Sequence, residues 1–365
     1  MIIVKKLIAR MAAALLAVIL VFPCEAISAG SAILMDAQTG RVLYEKDADQ
    51  RSLIASTTKI MTALVICEQC NVLDRVRIPK EAVGIEGSSM YLCEGEVLTV
   101  QELLYGLMLR SGNDAAVALA IYCGGTVEGF AELMNDKAHR LGLTGTHFVN
   151  PHGLDNPNHY STARDLAVLA AYAMENPIFA QTVSTKTVTT GNRTLQNHNK
   201  LLWQVDGADG VKTGFTKAAG RILVSSCTRQ GRRLVAVTIN DGNDWADHKT
   251  LLESGFSGFS LRQIVTAGER VCEMEVVSAP NHQVALISQG DFTYPLRSDE
   301  MVQVVIPGPG FVYAPVVEGQ SAGVAYLYLN ERIVGKIPLV YGSTVERLPE
   351  EKTPLLKRIF GGNNQ

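Results

Sequence analysis

Ser56-Thr57-Thr58-Lys59 places a hydroxyl and an amine three residues apart. On a helix these positions share one face, so the two groups can meet. A serine hydroxyl is a weak nucleophile and needs a base within hydrogen-bond reach. A lysine amine serves when burial or a second cation lowers its pKa. Backbone N–H groups at a helix start can also stabilise a developing oxyanion. Alone, the pattern fits a helix start with a solvated lysine equally well, and roughly one or two Ser-x-x-Lys matches arise by chance in a chain of 365 residues.

Two further triplets carry usable groups. Ser111-Gly112-Asn113 lies between two apolar segments and offers a hydroxyl for proton relay and an amide for a substrate amide; by itself it also reads as a turn with an N-cap. Lys212-Thr213-Gly214 follows Val211 and precedes Phe215-Thr216. A glycine inside a strand often marks close backbone approach by a ligand. Lys212 and Thr213 alternate faces, so one can touch substrate while the other reaches around the edge. The bland reading is an edge strand protected by a lysine.

The elements that must hold these groups are legible from periodicity. Ser31–Ala37 and Arg41–Glu45 read as strands joined at Gln38-Thr39-Gly40. Helices are expected over Ile60–Cys67, Thr99–Arg110, Asp114–Tyr122, Val127–Leu141 and Thr162–Glu175, the last opened by Thr162 with Asp165 three residues on. Val183–Thr190 alternates like a strand. Ile222–Cys227 and Leu234–Ile239 form a hairpin about Gln230-Gly231, and Asp244–Phe256 closes the region as a helix. The expected class is α/β (α+β), an antiparallel sheet packed against a helical cluster. From about Arg262, short β-like runs (Val271–Val277, Gln283–Ile287, Met301–Ile306, Gly323–Leu329) indicate a small all-β domain.

Each triplet occurs once, in the order Ser-x-x-Lys, Ser-x-Asn, Lys-Thr-Gly, on a helix start, an inter-helix loop and a strand. This resembles the penicillin-interacting serine enzymes, with their transpeptidase/β-lactamase-like domain. Ser111-Gly112-Asn113-Asp114-Ala115, Pro151-His152-Gly153-Leu154-Asp155 and Gly210-Val211-Lys212-Thr213-Gly214-Phe215-Thr216 narrow it to the low-molecular-mass D-alanyl-D-alanine carboxypeptidases. The resemblance covers about residues 30–345, since members carry a small C-terminal β-domain. It implies Ser56 as the acylated nucleophile, Lys59 as its base, Ser111 as proton relay to the leaving amine, and Asn113 as orienter of the substrate amide. Lys212 and Thr213 would lie near the terminal carboxylate, and Gly214 and Phe215 would line the substrate strand, with the N–H groups of Ser56 and Phe215 as oxyanion hole. No cofactor is implied. The partners implied are peptidoglycan stems ending in D-Ala-D-Ala, and β-lactams. One departure is His198, where some members have arginine, which leaves the carboxylate-binding cation open. The competing readings are a β-lactamase, for which no Glu-x-x-Leu-Asn stretch lies between Asn113 and Lys212, and a non-catalytic penicillin-binding sensor, against which the intact Ser56, Lys59 and Lys212 argue.

A formal net charge of -3 gives no basic excess for nucleic acid. Lys5, Lys6 and Arg10 precede the apolar run Met11–Phe22, then Cys24 and Ala26 at small-residue spacing, the pattern of a secretory signal peptide cut after Ala26. The expected organisation is residues 1–26 as signal peptide, 27–260 as the catalytic domain, 262–345 as a β-rich domain and 346–365 as a tail, on an exported protein. In the tail, Leu355, Leu356, Ile359 and Phe360 share a helical face flanked by Lys352, Lys357 and Arg358, a candidate for peripheral contact with the cytoplasmic membrane or for docking on the β-domain. After signal removal six cysteines remain (Cys67, Cys70, Cys93, Cys123, Cys227, Cys272), open to disulfides or to buried thiols. His147, His152 and His159 lie on a loop without metal-ligand spacing, so no metal is expected and His152 is expected to border the cleft.

Overall fold

Residues 27–190, 192–280 and 283–349 are described by a computed structural model. The signal-peptide reading, and the tail from Glu350 on, lie outside these residues. Two compact units divide the chain between Gly255 and Phe256.

The first unit is built on a five-stranded antiparallel sheet ordered β2-β1-β9-β8-β7. β1 is Ser31–Asp36 and β2 Val42–Lys46. Two short hairpins follow, β3 (Arg75–Arg77) with β4 (Val97–Thr99), and β5 (Thr187–Thr190) with β6 (Arg193–Gln196). β7 (Ala208–Thr216), β8 (Gly220–Arg229) and β9 (Arg232–Ile239) complete the sheet. The β8–β9 turn is the two-residue loop expected at Gln230-Gly231, with φ of 50° and 79°. Positive φ at both positions matches the twist of the flanking strands, which is why glycine stands there.

β8 and β9 are buried along almost their whole length, because helices cover both faces. On one face Ile33, Ile222, Val224, Val235 and Val237 join the main helical core. That core holds α1 (Lys59–Gln69), α2 (Val100–Leu109), α3 (Asn113–Gly124), α4 (Val127–Arg140) and α5 (Ala163–Ala173), with α6 (Pro177–Ser184) and the single turn α7 (Leu201–Gln204) beside β7. Every residue of α1 from Lys59 to Ile66, and of α3 from Asn113 to Ala120, is buried. Helices apolar on all sides belong at the centre of a large domain. The opposite face carries α8 (Asp244–Gly258), where a Cβ on Gly255 would stand 2.7 Å from the side chains of Leu34 and Leu234.

Thr99 caps α2 in a full capping box with Glu102, and Thr162 accepts from the Asp165 N–H at the start of α5. Two local expectations shift. The expected strand over Val183–Thr190 begins only at Thr187, because Asn176 caps the N–H groups of Ile178 and Phe179 with Pro177 in the first turn, and this helix carries Val183 and Ser184. Ser56 does not sit on the α-helix: Ala55–Thr58 form a 3-10 turn that leads into α1.

The second unit is all β: β10 (Ser260–Val265), β11 (Arg270–Val277), β12 (Gln283–Ser288), β13 (Phe292–Leu296), β14 (Gln303–Val305), β15 (Phe311–Tyr313), β16 (Ser321–Leu329) and β17 (Arg332–Tyr341). Six strands form a sheet ordered β14-β16-β17-β12-β11-β15, and β10 pairs β13. Two small apolar clusters hold it, one with Val276, Leu286 and Leu339, the other with Val265, Tyr294, Leu327 and Ile337.

Candidate active site

Three chain segments converge at the open edge of β7. The 3-10 turn at Ser56 is pressed from two sides by glycines. A Cβ on Gly214 would meet the Ile54 oxygen and the Thr57 nitrogen at 3.3 Å, so the glycine in Lys-Thr-Gly admits the protein's own Ser56 turn. A Cβ on Gly153, whose φ is +89°, would lie 1.8 Å from the Ala55 oxygen, so the loop Pro151–Asp155 closes over the turn from the other side. That loop is tied down by Thr62 Oγ1 donating to the Pro151 oxygen at 2.6 Å, and Thr216 Oγ1 donates to Asp155 at 2.9 Å across to β7. Ala55 and Ser111 both hold left-handed backbone, φ 45° and 62°. Such conformations are costly for non-glycine residues and persist where the surroundings enforce them.

Lys59 is fully buried, and its Nζ lies 3.0 Å from Ser56 Oγ, 2.7 Å from Asn113 Oδ1 and 2.6 Å from the His152 oxygen. All three partners are uncharged. Burial first, and the neighbouring Lys212 second, hold its pKa well below the ordinary amine value, with Asp114 opposing. With one proton fewer, the same geometry has the amine donating to Asn113 and His152 while its lone pair accepts from the Ser56 hydroxyl. The structure therefore offers a nucleophile and a base already oriented by two further acceptors.

Lys212 is also buried, its face of β7 shared with Val224 and Ile222, and burial pushes its pKa down to about 7. Its Nζ donates to the Thr213 oxygen at 2.8 Å. Thr213 turns the opposite way and lines the cleft, so the two faces of this strand divide as expected. The cleft, of about 310 Å³, is lined by Ser56, Ser111, Thr213, Gly214 and Phe215, with Ser88 and His198. Asn113 borders it from behind, its Nδ2 donating to the Glu86 oxygen at 2.6 Å. All eight residues expected at the site are thus gathered at one place: Ser56, Lys59, Ser111 and Asn113 from the helical side, and Lys212, Thr213, Gly214 and Phe215 from β7.

Several groups at the cleft were not legible as site residues. Asp114, buried beside Asn113, accepts from Ser89 Oγ and from the Met90 and Leu92 N–H groups, fixing the loop that carries Ser88. The far wall is Arg221, bonded through Nε and Nη2 to Asp244 at 3.1 and 2.7 Å, with its guanidinium 5.9 Å from the Trp245 ring. The adjacency of Asp114 to the Ser-x-Asn triplet was a usable signal for the first; nothing in the sequence joined β8 to α8 for the second. His198 stands at the rim, 3.3 Å from Arg110 Nη1, placed by its N–H donating to the Leu109 oxygen. His152 contributes its carbonyl to Lys59, and its ring, pushed down to about 3 by burial, is neutral. Among the described residues no group of three His, Cys, Asp or Glu side chains is arranged to hold a metal ion.

The D-alanyl-D-alanine carboxypeptidase family model matches residues 20–243, and the model of the penicillin-binding protein 5 C-terminal domain matches 259–347. The chain is 35% identical over 335 residues to a D-alanyl-D-alanine carboxypeptidase, DacD, of Salmonella typhimurium, covering 86% of each, and 32% identical over 327 residues to DacF of Bacillus subtilis, covering 85% and 84%. Penicillin-binding protein 5 of Haemophilus influenzae superposes with a TM-score of 0.75 at 31% identity, covering 88% of this chain and 98% of that one.

Proposed function

The chain belongs to the D-alanyl-D-alanine carboxypeptidase family, and from that premise we propose that its cleft removes the terminal D-alanine from peptidoglycan stems through an acyl-enzyme on Ser56. The observation that carries the assignment of roles is the Lys59 amine, buried among three uncharged acceptors of which one is Ser56 Oγ. Neutral Lys59 takes the Ser56 proton as Oγ attacks the penultimate D-alanine carbonyl. The N–H groups of Ser56 and Phe215 receive the oxyanion, which fixed donors stabilise without reorganisation. Ser111 passes a proton to the departing D-alanine amine, Asn113 orients the substrate amide, and Lys212 and Thr213 hold the terminal carboxylate against Gly214. Water then hydrolyses the ester, with Lys59 again as base. A β-lactam acylates Ser56 by the same first step.

The organisation follows: residues 27–260 catalyse, 262–345 form the β-rich C-terminal domain, and residues 1–26 direct export. The tail, 346–365, gives weak peripheral contact with the cytoplasmic membrane; deletion of 350–365 lowers liposome co-sedimentation and leaves hydrolysis of a soluble peptide unchanged, and unchanged sedimentation would remove the contact.

The decisive experiment measures D-alanine release from a D-Ala-D-Ala peptide, with penicillin labelling located by mass spectrometry. Release with the label on Ser56 is expected, and Ser56→Ala loses both while keeping its circular dichroism. Labelling without release would make the protein a sensor, and a label on another serine would overturn the assignment.

A further inference from the structure

The heads of α1 and α3 touch where Lys59 donates to Asn113 at 2.7 Å. Ten residues further along each helix, the tails touch as well: Cys123 Sγ lies 3.7 Å from Gln69 Oε1. Equal offsets mean that the two helices run parallel and in register, with their ends about 15 Å apart at 1.5 Å rise per residue. Cys70 follows Gln69 directly, leaving the helix in extended conformation (φ -116°, ψ 149°). Four residues after Cys70, Asp74 Oδ2 accepts from the OH of Tyr122, the residue before Cys123, at 2.8 Å. Cys70 therefore lies between two cross-links to the segment that carries Cys123, one of them made to Cys123 itself by Gln69, the residue before Cys70. Both are half-buried, within reach of a small oxidant.

We propose that Cys70 and Cys123 are a disulfide-forming pair that fastens the tail of the nucleophile helix to the tail of the Asn113 helix. The proposal rests on the exported reading only for its oxidising surroundings, where disulfides persist. The oxidant is a disulfide, R–S–S–R. Cys123 is the attacking group: the neighbouring Cys70 thiol holds its pKa below the ordinary value, and the thiolate is the nucleophile. It displaces one R–S⁻ and forms a mixed disulfide. Cys70 then loses its proton and attacks the Cys123 sulfur, releasing the second R–S⁻. Two electrons reach the oxidant, and the two protons end on two R–SH. Cys67 lies one turn back on α1, and burial holds its thiol at about 12, unreactive. The bond would close a long loop, so it constrains the unfolded chain strongly.

The test uses the full chain, reduced, then equilibrated with oxidised glutathione and alkylated. The expected result is loss of two thiols and one linked peptide pair carrying Cys70 and Cys123, with Tm higher by roughly 5–10 °C than under reducing conditions. Cys67→Ser retains the pair and the shift; Cys123→Ser loses both. The proposal is overturned if all thiols remain free in the folded protein, if the linked pair is Cys67 with Cys123, or if glutathione stays attached without an internal bond. Because none of these readouts measures hydrolysis, failure here leaves the catalytic assignment standing.

Discussion

The two faces of the five-stranded sheet bury polar groups in opposite ways. On the α8 face His248 is enclosed between Ser225 Oγ at 2.6 Å and Thr238 Oγ1 at 3.0 Å, and Arg232 meets Asp36 at 2.8 Å with both side chains buried. There Arg232 has a carboxylate partner and His248 two hydroxyls, while the buried Asp241 and Asp247 accept from Ser28. On the α1 face two lysines, Lys59 and Lys212, are buried among uncharged oxygens. Burying a cation without a counter-ion is unfavourable, and the group responds by giving up its proton. The same sheet thus supports architecture on one side and displaces a proton equilibrium on the other, and only the second arrangement favours the neutral amine that the proposed mechanism needs.

The largest effect expected from breaking this contrast is at Lys59. Lys59→Arg keeps a donor but cannot be deprotonated, so penicillin acylation should fall at least about a thousandfold. Stopped-flow acylation checks it; an arginine variant within tenfold of the parent would show that Lys59 is not the base. Lys212→Gln is a finer instrument. Removing that cation makes the Lys59 ammonium less unfavourable, its pKa rises, and neutral amine appears only at higher pH. The acid limb of acylation rate against pH should therefore move upward by about one unit. An unmoved limb would mean that the two lysines do not feel each other.

Gly153→Ala tests whether the α1 face depends on the loop that closes over it. The added Cβ meets the Ala55 oxygen in a left-handed backbone. We expect a loss of about 2 kcal/mol or more, with slower acylation, whereas Gly142→Ala, also left-handed (φ +71°) but facing open space, should cost about 1 kcal/mol and leave acylation alone. Urea unfolding of both variants decides it, and equal losses would show that the loop is not held by this contact.

What could be read from the sequence follows the same division. Ser56, Lys59, Ser111, Asn113 and Lys212 are short-range patterns on strongly periodic elements, and the capping residues Thr99 and Thr162 announce their helices locally. The resemblance supplied roles that spacing alone left open. What stayed hidden depends on pairing between distant segments: Gly153 against Ala55, Asp114 holding Met90 and Leu92, and Arg221 of β8 against Asp244 of α8. Val183 and Ser184 were misplaced for a local reason, since a β-branched run was outweighed by the Asn176-Pro177 helix start. His198, whose role the sequence left open, stands beside Arg110 at the rim, a neighbour 88 positions away that no local pattern announces.

The smallest effect on acylation belongs to the α8 face, and it checks whether His248 is neutral there. Burial holds the pKa of His248 down at about 3, against an ordinary 6.5. Above pH 6.5 the site is neutral in both folded and unfolded chains and stability does not depend on it. Between about 6.5 and 3 the unfolded chain binds one proton more, so stability falls with falling pH by about 1.4 kcal/mol per unit from this residue alone. Asn in its place has no proton to take up. The stability advantage of the parent over His248→Asn should therefore shrink by roughly that slope between pH 6 and pH 4.5, while penicillin acylation at pH 7 stays within a few fold. Urea midpoints of parent and variant at three pH values give the difference directly. A constant difference would mean that His248 titrates alike in both states and becomes a buried cation on the α8 face.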